Sequence, residues 1–366
     1  MNKDLNISTF FALLRLAVGT DQVGSMQLEG VSWQRVYALA RKHGVLAVAF
    51  DGLTKLFEQN KEFAKSFPQS LKLQWINAAF HIEHRYDYSK AVCTELVDKW
   101  AEQGIKTLCL KGLAFSTYYP VPNHRECGDF DCYLMGDFEQ GNRIAEQLGA
   151  KVRFDDYKHS HISYKGLMIE NHKFCTSVRG PKINKQFEVF LQELLKREDF
   201  GIRQIGNSTI YTPSPTFNAL FLIKHSMVHF LYEGIKIRHL LDWAYLIKGD
   251  GENIDWGIVN EWCKKLHLNN FVDLMNATLS RYFGLELPCM RYPLDYSNVE
   301  RFVQSLLYED TAVYNTTHAS IWHQRYAIVK NMIDSRWKFS KVYKKSLILE
   351  LFKSSWYAIF EKHPKL

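Results

Sequence analysis

The chain lacks the features that would place it in an easily read class. Its seven cysteines among 366 residues are an odd number, irregularly spaced from Cys93 to Cys289, and no Cys-x-x-Cys pair occurs. That argues against a disulfide framework and a structural zinc knuckle, and it suits a reducing cytoplasm, the expected location. No apolar run approaches the ~18 residues a membrane span requires, so no membrane partner is expected. The opening segment carries Asp4 and Arg15 around its apolar residues. It reads as an amphipathic helix capped at Asn6 or Ser8 and poorly as a secretion signal. No internal repeat marks a solenoid. Charge of one sign is scarce: 46 Lys and Arg against 39 Asp and Glu leave +7, spread along the chain. That favours neither nucleic acid nor a small anion. What is plentiful is apolar surface, 46% of residues with 14% aromatic, which rules out disorder and predicts a large core.

Roughly 150 residues per domain gives two or three packed units, and the hydrophobic period changes twice. Residues 1–104 read as helices, among them 32–43 and 72–103, the latter stopped by Gly104. From 105 the pattern turns to short apolar runs. Strands are expected at 105–112, 130–135, 151–156, 159–166, 167–174 and 207–215, with helices after Gly112 and over 137–149. From about 182, apart from that last strand, the helical period returns. Its segments are 217–249 with a break near Gly234, then 254–267, 269–284, 298–308 and 341–361. The fold class is therefore α+β: a small mixed sheet in 105–212, flanked by an N-terminal helical region (1–104) and a C-terminal helical domain (213–366).

One segment concentrates chemistry: Gly128-Asp129-Phe130-Asp131. Side chains alternate along a strand, so Asp129 and Asp131 share one face. Two close carboxylates repel unless a cation lies between them. Hard divalent ions take oxygen ligands, so Asp-x-Asp is half of a Mg²⁺ site. Lys111-Gly112 stands where strand gives way to helix, and glycine there lets backbone approach a phosphate. Lys111 or Arg125 would add positive charge. Glu170 is the best third carboxylate, with Asp155 or Asp156 as substitutes, and His172 shares its face.

These residues resemble a known family. Leu110-Lys111-Gly112, Tyr119-Pro120, Arg125, Gly128-Asp129-Phe130-Asp131 and Glu170-Asn171-His172 look like the bacterial uncharacterised nucleotidyltransferases, within the DNA polymerase beta nucleotidyltransferase superfamily. His225, Arg238 and Leu241-Asp242-Trp243 look like that family's helical second half. The resemblance implies a minimal nucleotidyltransferase core, with Asp129, Asp131 and Glu170 holding Mg²⁺ (or Mn²⁺ in its place) and acting catalytically. Lys111, Gly112, Arg125 and His172 would bind the nucleotide. It implies transfer of a nucleoside monophosphate from a nucleoside triphosphate to a hydroxyl, releasing pyrophosphate. The acceptor is open: a small molecule, a sugar, a protein or RNA. Leu113 stands where the superfamily usually has serine or a second glycine. The alternative is therefore a non-catalytic nucleotide-binding or interaction protein on the same fold.

Other patterns have plainer readings. His225 and His229 share a helical face, and His239 and Asp242 follow on the next helix. A histidine-metal phosphohydrolase lacks its His-Asp dipeptide here, so a structural role is expected. Arg238 and Asp242 have the spacing of an i,i+4 ion pair. Cys132 reads as a small apolar filler. The lysines around Gly180-Pro181 and in 338–345 read as solvated surface.

Overall fold

The computed structural model describes residues 4–20, 26–154, 157–197, 199–205, 208–287, 294–308 and 321–360. Asp155 and Asp156 lie outside them. The first helix, Leu5–Val18, starts one turn earlier than expected. Asp4, not Asn6 or Ser8, caps it, its Oδ1 accepting the Asn6 N–H at 2.9 Å. The next long helix, Leu46–Gln59, crosses it closely, because a Cβ at Gly52 would run into the Leu13 backbone. The expected long helix runs from Gln69 to Ala101, and its second half buries Val92, Leu96 and Trp100 against the sheet.

Seven strands form one mixed sheet among the described residues: β1 (Leu108–Cys109), β2 (Phe130–Tyr133), β3 (Lys151–Arg153), β4 (His159–Tyr164), β5 (Leu167–His172), β6 (Gly201–Ile205) and β7 (Ser208–Thr212). Their order is β3-β4-β5-β2-β1-β7-β6. Strand β2 runs parallel to β5 and antiparallel to β1, and β1 runs parallel to β7. The first strand is shorter than the apolar run suggested, since the chain turns off at Gly112. Strand β6 was not expected. Gly-Ile-Arg-Gln-Ile has only two apolar residues, and it becomes a strand by pairing antiparallel with β7.

The two faces of the sheet meet different cores. Phe130 and Cys132 enter a small cluster with Trp100, Ala145, Ile162 and Ile169; Cys132 is fully buried there. Leu108, Leu110 and Tyr133 join a larger core running from Phe10 to Val342. The N-terminal and C-terminal helical regions are therefore joined by packing; Phe11 meets Phe283 edge-on at 5.5 Å between ring centroids. Near the end, the single helix expected over 341–361 is divided. A π-turn over Lys338–Tyr343 and a left-handed Lys344 precede helix Leu347–Phe360. No described helix is long and apolar enough to cross a membrane.

Candidate active site

Strand pairing builds the site. Asp131 lies beside Glu170 in the parallel β2–β5 register, and Tyr133 beside His172. On the other side of β5, His161 pairs with Glu170 and His159 with His172. Because side chains alternate, His159, His161, Glu170, His172 and Asp131 gather on one face. Asp129 lies just before β2 and remains 35% exposed, whereas Asp131 is 2% exposed. Both carboxylates nonetheless meet one group. The Lys111 ammonium stands 3.1 Å from Asp131 Oδ2 and 3.6 Å from Asp129 Oδ2. Asp131 Oδ2 receives no well-directed hydrogen bond.

Burial works against each of these charges, and their neighbours reverse it. It disfavours the Lys111 ammonium, but Asp131, Asp129 and Glu170 outweigh that and raise its pKa. It disfavours ionised Asp131, yet Lys111 and His172 hold that carboxyl below its usual range. Glu170 goes further, down to about 2: hydrogen bonding from His172 and the charges of His159, His172 and Lys111 override burial. His172 is raised despite complete burial, through Asp131 and Glu170. Its geometry agrees. Nδ1 faces the Phe174 carbonyl at 3.2 Å and Nε2 faces Asp131 Oδ1 at 3.1 Å. Both partners accept, so both ring nitrogens carry protons.

Three expected roles change. His172 was expected at the nucleotide; it is buried behind the carboxylates and fixes Asp131 and Glu170 instead. Arg125 was expected at phosphate. It borders the cleft, but its guanidinium grips Asp242 with two hydrogen bonds, Nε to Oδ1 at 2.8 Å and Nη2 to Oδ2 at 2.7 Å. The Tyr119 hydroxyl donates to the same carboxylate at 2.8 Å. This buried pair also displaces the expected Arg238–Asp242 contact, and Arg238 instead donates to the Glu126 carbonyl at 2.6 Å. Gly112 does require its glycine. Its φ of +67° suits few other residues, and an added Cβ would lie 3.2 Å from the Asp129 carbonyl oxygen. The helix it opens, Leu113–Ser116, is a single turn, too short for a strong macrodipole, so phosphate attraction there rests on Lys111.

A cleft of about 660 Å³ runs along this sheet face. Lys111, Gly112, Asp129, His159, His161 and Glu170 form one wall. Helices Pro215–Val228 and Ile237–Asp250 and the turn between them form the other, with His225, His229, Glu233, Lys236 and His239. Three clusters in this region have the composition of a cation site: Asp131/Glu170/His172, His159/His161/Glu170 and His225/His229/His239. Sequence reading missed His159 and His161, although His-x-His on a strand carried the same alternation that paired Asp129 with Asp131.

Both walls fall within the part of the chain matched by a family model, described as an uncharacterised nucleotidyltransferase, over residues 29–284. The chain belongs to this family. No curated protein and no solved structure matches it. Asp129 and Glu170 line the cleft and Asp131 lies buried beside Glu170; carboxylate oxygens are hard donors of the kind a divalent cation takes. The absence of a directed hydrogen bond on Asp131 Oδ2 fits that use.

Proposed function

We propose that this protein is a divalent-metal-dependent nucleotidyltransferase, moving a nucleoside monophosphate from a nucleoside triphosphate to a hydroxyl. The observation that supports this reading is that Asp129 and Glu170 line one cleft while Asp131, paired beside Glu170, shares the Lys111 ammonium with Asp129, in a chain of this family. In the transfer, the acceptor oxygen bonds to the α-phosphorus, the bond to the leaving pyrophosphate breaks, and the acceptor's proton passes to solvent water. Mg²⁺ or Mn²⁺ held by the three carboxylates would neutralise polyphosphate charge and polarise the reacting oxygens.

The chain's own groups have separable tasks. His172 keeps Asp131 and Glu170 ionised and oriented from behind. A carboxyl with a pKa near 2 is a poor proton acceptor at neutral pH, so Glu170 acts as a charged ligand and not as general base. Lys111 neutralises the aspartates in the free protein. With a cation held by the carboxylates, Lys111 would be free to face the triphosphate, and Gly112 would let backbone approach the same phosphates.

A second reading keeps the fold and a nucleotide but not turnover. Lys111 between the two aspartates is the observation that favours it, since an internal ammonium can take a metal's place. Pyrophosphate release from labelled nucleoside triphosphates, screened against cell lysate as acceptor source, separates the readings. Turnover that falls to background in Asp129→Asn and Asp131→Asn, with far-UV circular dichroism unchanged, is the expected result. Full activity in either variant would remove the two-aspartate metal role; nucleotide binding without pyrophosphate release from any acceptor would favour the second reading.

A further inference from the structure

The helical wall holds a second cluster that nucleotidyl transfer does not use. His225 lies in the last turn of helix Pro215–Val228, and His229 opens the π-turn His229–Glu233. π-Turns are rare and are frequent at functional sites. The Nε2 atoms of the two rings stand 3.0 Å apart. That is close to the edge of a coordination polyhedron with metal–nitrogen bonds of about 2.0–2.1 Å. On its far side, His229 Nδ1–H donates to Glu233 Oε2 at 2.7 Å. This leaves the Nε2 lone pair directed toward His225, as in carboxylate–histidine–metal arrangements. Burial, with the charge of Lys111 added, holds His225 well below the usual histidine range and therefore neutral.

His239 completes the cluster in a different way. A ring nitrogen of each of the three histidines lies within 4.8 Å of the others, and the His239 ring stacks on His229 at 4.9 Å between centroids. Its Nδ1 accepts the Lys236 N–H at 3.0 Å. In the neutral ring the proton therefore sits on Nε2, which makes His239 a donor and not a ligand.

We propose that His225 Nε2 and His229 Nε2 bind a first-row divalent transition cation of imidazole preference, such as Zn²⁺, on the helical wall of the cleft. Glu233 orients His229. The His239 Nε2–H donates to an oxygen ligand, water or phosphate, in one of the metal's open positions. Without metal, the contact between the two Nε2 atoms is a hydrogen bond carrying one proton. Metal binding at both Nε2 atoms moves that proton to His225 Nδ1, so the neutral ring changes tautomer and no net proton is released. The ligands are two imidazoles and no carboxylate, which sets this site apart from the hard-oxygen site on the sheet wall.

Co²⁺ titrated into the full-length, chelator-treated protein tests this, since its visible d–d absorption reports nitrogen coordination. The expected result is a band that saturates at one Co²⁺ per chain and is displaced by Zn²⁺. It should vanish in His225→Ala and His229→Ala with circular dichroism unchanged. It should persist in Asp129→Asn/Asp131→Asn and in His239→Ala, and weaken roughly 10–100-fold in affinity in Glu233→Gln. No band in the wild type, or a band that survives His225→Ala/His229→Ala, would overturn the site. Loss in the double aspartate variant would move the ion to the sheet wall, and loss in a folded His239→Ala would overturn the two-ligand assignment. The readout is metal binding alone, so failure of the nucleotidyltransferase reading would leave this proposal standing, and the reverse.

Discussion

The two walls of the cleft assemble charge in opposite ways. On the sheet wall opposite charges are brought together. Lys111 and doubly protonated His172 stand against Asp129, Asp131 and Glu170, and each holds its neighbours' charge in place. On the helical wall the central groups are neutral. His225 and His239 are held below the usual histidine range, by burial first and by nearby cations second. The sheet can concentrate charge because neighbouring strands bring opposite charges into fixed register. The helices place imidazoles beside one another with few carboxylates facing them, so desolvation wins.

The sharpest way to break this comparison is at the joint between the walls. Arg125 and Asp242 have side chains 4% exposed each and bind two-fold across the cleft. Arg125→Ala leaves a buried carboxylate without its partner and should destabilise by about 3–5 kcal/mol in chemical denaturation. The double change Arg125→Met/Asp242→Leu should recover much of that loss, because the desolvation cost disappears with both charges. A single variant with unchanged stability would mean that the pair does not join the walls.

Next comes Gly112, on the sheet wall alone. Gly112→Ala forces a Cβ onto a positive-φ backbone beside the Asp129 carbonyl and should cost about 1–3 kcal/mol. Pyrophosphate release should fall with it, since Asp129 must shift. Wild-type midpoint and activity in Gly112→Ala would deny that the close approach matters.

The mildest effect concerns pH and should have opposite signs on the two walls in metal-free protein. His172 is raised in the fold, so its contribution is complete below about 6.5, the unfolded value, and fades as pH rises through the folded value. His239 is lowered, so its contribution is complete above about 6.5 and is lost as pH falls, because the unfolded state then binds the extra proton. Each proton changes stability by at most about 1.4 kcal/mol per pH unit. Urea midpoints against pH should therefore lose their alkaline slope in His172→Asn and part of their acid slope in His239→Asn. The same slope lost in both variants would show that the walls do not differ in charge state.

Local pattern and long-range contact were unequally legible. Period-two alternation put Glu170 and His172 on a common face of β5, because a strand's geometry follows from its backbone, whereas Asp129 falls just before β2. Which cation meets those carboxylates was not written locally. Lys111 reaches Asp129 and Asp131 only because β1 lies antiparallel to β2. Arg125 and Asp242 are 117 positions apart, whereas the nearer choice, Arg238 one helical turn from Asp242, was the one sequence spacing favoured. A buried, bidentate, tyrosine-supported contact outcompetes a helix-surface pair of a few tenths of a kcal/mol. Strand β6 was missed for a similar reason: its hydrogen bonds come from β7, not from its own composition.

The sequence alone determined the change from helix to strand and back, the absence of any membrane-length apolar run, and the side-chain alternation that puts Glu170 and His172 on one face of their strand. Those are properties of neighbours in the chain, where backbone geometry and side-chain chemistry act over a few residues. Tertiary structure decided that Lys111 guards the aspartates, that His172 supports Asp131 and Glu170 from behind, that Arg125 is committed to Asp242, and that His239 joins His225 and His229 on the helical wall. Each of those outcomes is a competition between partners distant in sequence, settled by which pairing leaves the fewest buried charges without compensation.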